Sequence, residues 1–300
     1  MLRPVIEALA VRPAGTYIDG TFGRGGHSTA ILARLGAGGR LIAIDRDPQA
    51  VAAVPPALRE DSRFEVVKGE IADVREIAAE RGVLGQADGF LLDLGVSSPQ
   101  LDDAERGFSF RGDGLLDMRM DPTSGPGAAE WLATVEEREL RRVLFEYGEE
   151  RHAGRIAKAI VAARAQEPLR RTGELAEVVA AAVPPGPRRI HPATKTFQAI
   201  RIHINHELEQ LDSALAASPD LLAPGGRLGV ISFHSLEDRR VKRFIRDASR
   251  EAAAWRGLPS IPAHARPKFR VIGKAVRATD EEVRANPRAR SARLRVAERV

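Results

Sequence analysis

A glycine-rich turn near the amino terminus carries the strongest chemical signal in the sequence. It runs from Asp19 to Ser28 after a short apolar segment and contains Gly23, Gly25 and Gly26. Glycines here let the backbone approach a nucleotide-like ligand and leave helix amide groups free to bind it. The dinucleotide fingerprint needs a third glycine where this chain has Ser28. Asp19 instead favours S-adenosylmethionine, whose ammonium group a carboxylate can neutralise.

Two further carboxylates follow predicted strands. Asp45 ends an apolar run 19 residues beyond Gly26, where a carboxylate accepts hydrogen bonds from both ribose hydroxyls of a nucleoside cofactor. Asp93 ends the fourth predicted strand. Because ligands of open α/β sheets bind outside the carboxyl ends of the strands, we expect Asp93 where cofactor and substrate meet. A plain tight connection at the glycines and a buried loop after Asp93 are the structural alternatives.

The elements that position these residues are short apolar strands alternating with helices. The predicted strands are residues 16–19, 41–45, 64–67 and 89–93, and continuous apolar runs of this length suit a parallel sheet buried on both faces. This alternation stops near Ser98. Helical patterns follow over residues 128–183 and about 193–217, with a break at Pro184 to Pro187 between them. A further strand is predicted at 225–233. The prediction is an α/β Rossmann-like domain in two parts, 1–103 and 207–300, interrupted by an all-helical substrate-recognition domain, 104–206.

Composition narrows the class of protein. The net charge is +5, and residues 264–300 hold eleven Lys or Arg against four Asp or Glu. This basic carboxy-terminal segment favours an anionic partner such as nucleic acid, although a GC-rich genome would also enrich arginine. The absence of cysteine excludes thiolate nucleophiles and cysteine-ligated metals. No apolar run approaches membrane-spanning length and no secretory signal is recognisable, so we expect a soluble cytoplasmic protein.

Seven segments in order along the chain resemble one family. The chain is similar to the 16S rRNA (cytosine-N4) methyltransferase H family (RsmH, also called MraW). The segments are Asp19 to Ser28, Ile44 to Gln49, Leu91 to Phe110, Leu116 to Pro122, His191 to Ile202, Ile231 to Arg239 and Asn286 to Ser291. The resemblance implies a class I S-adenosylmethionine-dependent methyltransferase fold with an inserted helical domain. It also implies methylation of N4 of a cytidine in the decoding region of 16S rRNA, in the small ribosomal subunit.

The resemblance also implies site residues. It adds Gly25, Gly26, His27, Asp45, Asp93 and Gln100 as contacts for S-adenosylmethionine, beside Asp19 and Gly23 from the turn itself. Ile71 stands where the family often has Phe, so it offers the adenine apolar contact without ring stacking. Lys195 replaces a usual Arg, which keeps the charge but loses the planar fork.

The chemistry of the predicted reaction needs positioning more than a nucleophile. Methylation of cytosine C5 proceeds through a cysteine, and this chain has none. An exocyclic amine needs only its nitrogen in line with the methyl group and an acceptor for its hydrogen. Asp93 is the candidate for that catalytic role, and Asp117 is a weaker one in the loop after residue 100.

A predicted helix supplies candidates for the substrate side. Gln198, Arg201 and Asn205 share one face, with Lys195 at its start, and a solvated helix face is the alternative. The histidines show no metal-ligand spacing, so no metal is predicted. Ser235 with Asp238 fits a capping pair for a later helix.

Three other functions stay open at this point. One is a methyltransferase for DNA or a small molecule, although the basic segment argues against a small molecule. Another is an RNA-binding or assembly factor without catalytic activity. An NAD-dependent dehydrogenase is the least favoured because the third glycine is absent.

Overall fold

The chain forms two compact units. A computed structural model describes residues 1–184, 190–255, 257 and 260–300. Unit 1 comprises Met1–Gly95 and Leu208–Val300, and unit 2 comprises Val96–Glu207. The sequence-based prediction places these divisions after residues 103 and 206. The first division comes earlier in the structure because Val96 and Leu101 pack against the hydrophobic core of unit 2.

Unit 1 is built on a seven-stranded sheet. Its strands are β1 (Thr16–Asp19), β2 (Arg40–Asp45), β3 (Phe64–Lys68), β4 (Ala87–Asp93), β5 (Leu222–Ser232), β6 (Phe269–Arg277) and β7 (Arg293–Arg299). The strand order is β3-β2-β1-β4-β5-β7-β6. Strands β1 to β5 pair in parallel, whereas β7 is antiparallel to both of its neighbours. The four amino-terminal strands predicted from apolar runs are confirmed, and so is the strand that follows the insertion.

Both faces of this sheet are buried, which explains why its central strands read as unbroken apolar runs. Ile18 and Phe90 belong to the core on one face, whereas Tyr17 and Leu91 belong to the core on the other. The helices of this unit are α1 (Leu2–Leu9), α2 (Gly26–Leu32), α3 (Pro48–Ala52), α4 (Pro56–Arg59), α5 (Val74–Glu80), α12 (Glu207–Leu221), α13 (Ser235–Ala248) and α14 (Asp280–Ala285). The predicted Rossmann-like α/β architecture is therefore confirmed.

Unit 2 is helical. Its helices are α6 (Ser98–Asp102), α7 (Ala128–Thr134), α8 (Glu137–Gly148), α9 (Ala153–Gln166), α10 (Thr172–Ala182) and α11 (Thr194–Ile204). They share one apolar core that includes Leu144, Ile160 and Ile200. The predicted break at Pro184 to Pro187 falls for the most part outside the described residues. Among those residues, no helix is both long and apolar enough to cross a membrane.

One local prediction is wrong. The single helix expected over about 193–217 is two helices, because α11 ends at Ile204, His206 has φ +50° and α12 begins at Glu207. The expected capping pair of Ser235 with Asp238 stays a prediction. The cap of α13 is His234, and Glu237 accepts the amides of Phe233 and His234 at 2.8 and 3.2 Å.

Asp238 has another function, because its carboxylate joins α13 to β7. It accepts hydrogen bonds from Arg293 at 3.0 Å and from Arg295 at 2.7 Å. Burial opposes the charge on Asp238, but the two guanidinium groups outweigh it and lower the pKa of the carboxyl. Part of the basic carboxy-terminal segment is thus neutralised inside the protein and helps to complete the sheet.

Candidate functional site

Three carboxylates terminate three neighbouring strands of unit 1. Asp45 ends β2, Asp19 ends β1 and Asp93 ends β4, and these strands are adjacent in the order β2-β1-β4. The strands are parallel, so their carboxyl ends lie at one edge of the sheet. The sequence predicts all three residues at this edge, and the structure places them there.

The turn after β1 is held open by glycines. Gly23 and Gly25 have φ of +54° and +72°, values that favour glycine strongly. A Cβ at Gly25 would lie 2.8 Å from the ring of Phe22, so the turn also needs the small residue for space. A Cβ at Gly26, the first residue of α2, would have nothing within 4 Å. The turn therefore presents open space beside the first backbone amides of α2.

Asp19 stabilises this turn through hydrogen bonds to its carboxylate. It is 1% exposed, and its two oxygens accept the Ser28 hydroxyl at 2.7 Å and the Thr21 amide at 3.1 Å. Burial raises the pKa of this carboxyl, and the hydrogen bond from Ser28 opposes the rise. Both carboxylate oxygens of Asp19 already accept hydrogen bonds from residues of the turn. Its contact with a cofactor ammonium group therefore stays a prediction.

Asp45 joins the turn to the next strand. Its oxygens accept the amides of Gly23 at 2.7 Å and Asp47 at 2.9 Å. Burial raises the pKa of Asp45 to about 6, although both amide hydrogen bonds favour the charged form. Each carboxylate oxygen has a second lone pair, so Asp45 retains the capacity to accept a ribose hydroxyl.

Asp93 and His27 form the polar centre of the site. The Asp93 amide donates to the Thr21 hydroxyl at 2.6 Å, and Nδ1 of His27 lies 3.3 Å from Oδ2 of Asp93. Within the described part of the chain, Oδ1 of Asp93 and Nε2 of His27 are buried without a hydrogen-bond partner. Burial lowers the pKa of His27, but the bond to Asp93 and the charges of Asp93 and Asp19 outweigh it, so the pKa is raised. Buried polar atoms of this kind suit a polar ligand.

Sequence reasoning missed Thr21. Its amide supports Asp19 while its hydroxyl supports the backbone of Asp93, so one residue ties the ends of β1 and β4 together. A threonine two residues after a strand-ending aspartate was the available signal. Nothing in the linear sequence indicated that its hydroxyl faces a residue 72 positions further on.

Ile71 and Gln100 have defined structural surroundings. Ile71 begins a short 3-10 turn after β3 and packs, partly buried, against the core of unit 1. Gln100 belongs to unit 2, where it is buried and accepts the amide of Ser97 at 2.9 Å in the cap of α6. Their roles as cofactor contacts stay predictions.

The predicted substrate-side residues lie in unit 2, and each has a partner there. Asp117 forms a two-point ion pair with Arg119, at 2.9 and 2.6 Å. Lys195 donates to the carbonyl of Glu149 at 2.8 Å. These two side chains are held near the surface, where an ion pair or a carbonyl contact can exchange for a ligand.

The remaining three candidates of α11 do not share one environment. Gln198 donates to the Tyr147 carbonyl at 3.2 Å, and Arg201 forms an ion pair with Glu207 at 2.7 Å. Asn205 is 1% exposed and is used up in holding a loop, as it accepts the Met120 amide and donates to the Met118 carbonyl. Asn205 therefore supports this loop, and its predicted contact with the substrate stays a prediction.

The family follows from the whole sequence. A family model described as the MraW methylase family matches residues 1–300.

The chain belongs to the MraW methylase family.

It is accordingly a methyltransferase with the predicted class I fold, and its cofactor is S-adenosylmethionine, as the glycine turn and Asp19 indicated.

Solved structures show more distant likeness to this methyltransferase. A candidate rRNA methylase from Clostridium thermocellum has 13% identity and a TM-score of 0.46, with 99% of this chain and 95% of that one covered. A SAM-dependent O-methyltransferase from Thermotoga maritima has 9% identity and a TM-score of 0.43 over 99% and 64%. A SAM-dependent methyltransferase from Aquifex aeolicus has 10% identity and a TM-score of 0.42 over 99% and 89%.

Proposed function

We propose that this methyltransferase methylates the exocyclic N4 amine of one cytidine in the decoding region of 16S rRNA, in small ribosomal subunits in the cytoplasm. The observation that carries the proposal is Oδ1 of Asp93, which is buried with no hydrogen-bond partner among the described residues and lies at the carboxyl end of β4 beside His27. An amino group donates hydrogen bonds, and a carboxylate oxygen is its natural acceptor. Family membership supports a methyl-transfer reaction at this place.

The residues of the sheet edge fit the cofactor. Asp45 would accept the ribose hydroxyls, Ile71 would contact the adenine, and the amides after Gly25 would face the methionine portion. The open space beside Gly26 supports this assignment, because a ligand needs room where a side chain would otherwise stand. When bound, S-adenosylmethionine supplies a methyl group activated by its sulfonium charge.

Asp93 would act on the substrate amine. The N4 lone pair is delocalised into the cytosine ring, so positive charge develops on the nitrogen as its new bond to carbon forms. A carboxylate that accepts the amino hydrogen stabilises that charge and takes up the proton when it leaves. His27 would hold the other Asp93 oxygen and keep Oδ1 aimed at the amine. With no cysteine in the chain, the transfer is direct and forms no covalent enzyme intermediate.

The helical unit would bind the RNA. Helix α11 carries hydrogen-bond donors suited to phosphates and base edges, on Lys195, Gln198 and Arg201. In the loop after residue 100, Asp117 pairs with Arg119. This assignment rests on their polar chemistry and on the expectation that the insertion recognises substrate.

The decisive experiment measures where the methyl group goes. Purified protein is mixed with isotope-labelled S-adenosylmethionine and small ribosomal subunits lacking the modification, and nucleosides are identified by mass spectrometry. We expect N4-methylcytidine, with Asp93→Asn reducing the rate by about a hundredfold or more. Asp212→Asn removes an exposed carboxylate of the same unit and should retain the rate. Transfer to duplex DNA instead of subunits would replace the proposal with a DNA methyltransferase.

A further inference from the structure

A second feature of unit 1 is a basic groove between α13 and β6, formed by none of the residues assigned to the methyl-transfer site. Its volume is about 260 Å³. The cationic residues that line it are Lys242, Arg246, Arg250, Lys274 and Arg295. No carboxylate stands among the described lining residues, so this surface carries a strong local positive charge.

Only part of this charge is compensated within the protein. Arg295 is bound by Asp238, and Arg246 forms an exposed pair with Asp247. Three other cations are exposed and belong to no ion pair in the described part of the chain: Lys242, Arg250 and Lys274. The charge of Arg250 acts on Asp247 as well, but more weakly than that of Arg246. Like charges on one exposed surface repel one another, and an anionic ligand would relieve that repulsion.

The cations on the helical wall follow one another at intervals of four residues. Lys242 and Arg246 are one turn apart on α13, and Arg250 follows four residues later, just beyond its end. Four helical residues advance by about 6 Å along the axis. Cations spread along a wall match a polymer of phosphates better than one small anion, which needs donors converging on a single point.

The opposite wall is the edge strand β6. Pairing with β7 is interrupted between Ile272 and Val276, where Gly273 has φ +65°, and Lys274 belongs to this bulge. Bulges at sheet edges re-aim side chains and are common near functional sites. Ile245, Ile272 and Val296 add apolar lining, which suits the sugar units between phosphates.

We propose that this groove binds the phosphodiester backbone of RNA and so holds the substrate at a second place on unit 1. The identification of the polymer as RNA rests on the proposed function, whereas its phosphate backbone follows from the groove alone. Backbone contacts position a nucleic acid without reading its sequence. The groove thus supplies affinity, and the methyl-transfer site supplies selection.

The test compares two matched double variants of the full-length protein. Lys242→Ala/Arg250→Ala removes two exposed cations from the groove, and Arg34→Ala/Arg59→Ala removes two exposed cations elsewhere in unit 1. Binding of fluorescein-labelled, mixed-sequence single-stranded RNA is measured by anisotropy over a range of salt concentrations. The groove variant should bind about 10- to 100-fold more weakly at low salt. Its slope of log K against log salt should be shallower by about 1.4, from two lost phosphate contacts.

Lys274→Ala tests the second wall independently and should make the slope shallower by about 0.7. Thermal unfolding of every variant verifies the fold. Equal RNA affinity and slope in the groove and control variants would overturn the proposal. Groove-dependent binding to phosphatidylserine vesicles without binding to RNA would also overturn it.

Methyl transfer to small subunits, measured on the unmodified protein, separates the two proposals. Groove-dependent RNA binding without transfer would support the groove and refute the proposed reaction. If methyl transfer occurs but the groove substitutions leave RNA affinity unchanged, the proposed groove is refuted and the proposed reaction is not.

Discussion

Nδ1 of His27 lies 3.3 Å from Oδ2 of Asp93, at the point where the glycine turn meets the end of β4. His27 is in the first turn of α2 and Asp93 terminates a strand, so the pair ties the turn to the sheet. Thr21 fixes the backbone of Asp93 from the other side. Asp93 is thereby oriented by two elements before any ligand binds, which is the preorganisation that catalysis by positioning requires.

His27 should make stability depend on pH. Its pKa in the folded protein is raised above the usual 6.5 despite burial, because Asp93 and Asp19 favour the imidazolium. Its contribution to the free energy of unfolding is therefore fully present below pH 6.5 and is lost as pH rises through the folded pKa. We expect His27→Gln to cost most stability below that pH, measured by urea denaturation from about pH 5 to 9.

The matching readout is the imidazole itself, followed by proton NMR of its ring hydrogens. Asp93→Asn should move the His27 pKa down, since it removes the charge that holds the proton. A stability difference between the wild type and His27→Gln that stays constant over this pH range would contradict the assignment.

The sheet edge was predictable because it depends on local pattern. A buried parallel strand is recognisable as a short apolar run, and Asp19, Asp45 and Asp93 each directly terminate one. Where functional residues follow strand ends, a correct strand prediction also predicts the site.

The parts that were not predictable depend on partners remote in sequence. Asn205 is buried because its amide fits Met118 and Met120, more than 80 residues away along the chain. The carboxylate of Asp238 binds two arginines of β7 that lie 55 and 57 residues further along the chain. The α11–α12 break needs a non-glycine residue with positive φ, which helical periodicity does not indicate.

Cofactor affinity should fall in mild acid. Burial raises the pKa of Asp45 to about 6, so below that pH the carboxyl is protonated and is a poorer acceptor for ribose hydroxyls. We expect the Kd for S-adenosylmethionine, measured by calorimetry, to rise as pH decreases through about 6. Asp45→Asn should bind weakly and lose this pH dependence. A wild-type Kd that is flat from about pH 5 to 8 would show that Asp45 does not bind the ribose.

Two adjacent glycines should respond differently to alanine. Gly26→Ala adds a methyl group where nothing lies within 4 Å, so the protein should fold normally. The added methyl group should raise the Kd for S-adenosylmethionine by up to about tenfold. Gly25→Ala needs a positive φ and pushes against Phe22, so it should lower the unfolding midpoint as well. Both variants are measured in two ways. Calorimetry shows whether the added methyl group blocks the cofactor, and thermal unfolding shows whether it destabilises the turn. Unchanged affinity in Gly26→Ala would place the cofactor elsewhere.

Asn205→Ala should damage the helical unit without touching the cofactor site. Removing the amide leaves the Met120 N–H and the Met118 carbonyl without their partner in a buried place, at a cost of about 2–3 kcal/mol in the free energy of unfolding. Hydrogen exchange at the Met120 amide should accelerate, while calorimetry should show unchanged binding of S-adenosylmethionine.

Gln198→Ala is the control for Asn205→Ala, since Gln198 donates one hydrogen bond to Tyr147 from a partly exposed position of the same helix. It should lose less stability and leave exchange at Met120 unchanged. If Asn205 instead contacts substrate directly, Asn205→Ala would keep its stability and its protected Met120 amide while methyl transfer to RNA falls. The two roles of Asn205 therefore predict opposite results. Loss of support for the loop accelerates hydrogen exchange at the Met120 amide, whereas loss of a substrate contact lowers methyl transfer alone.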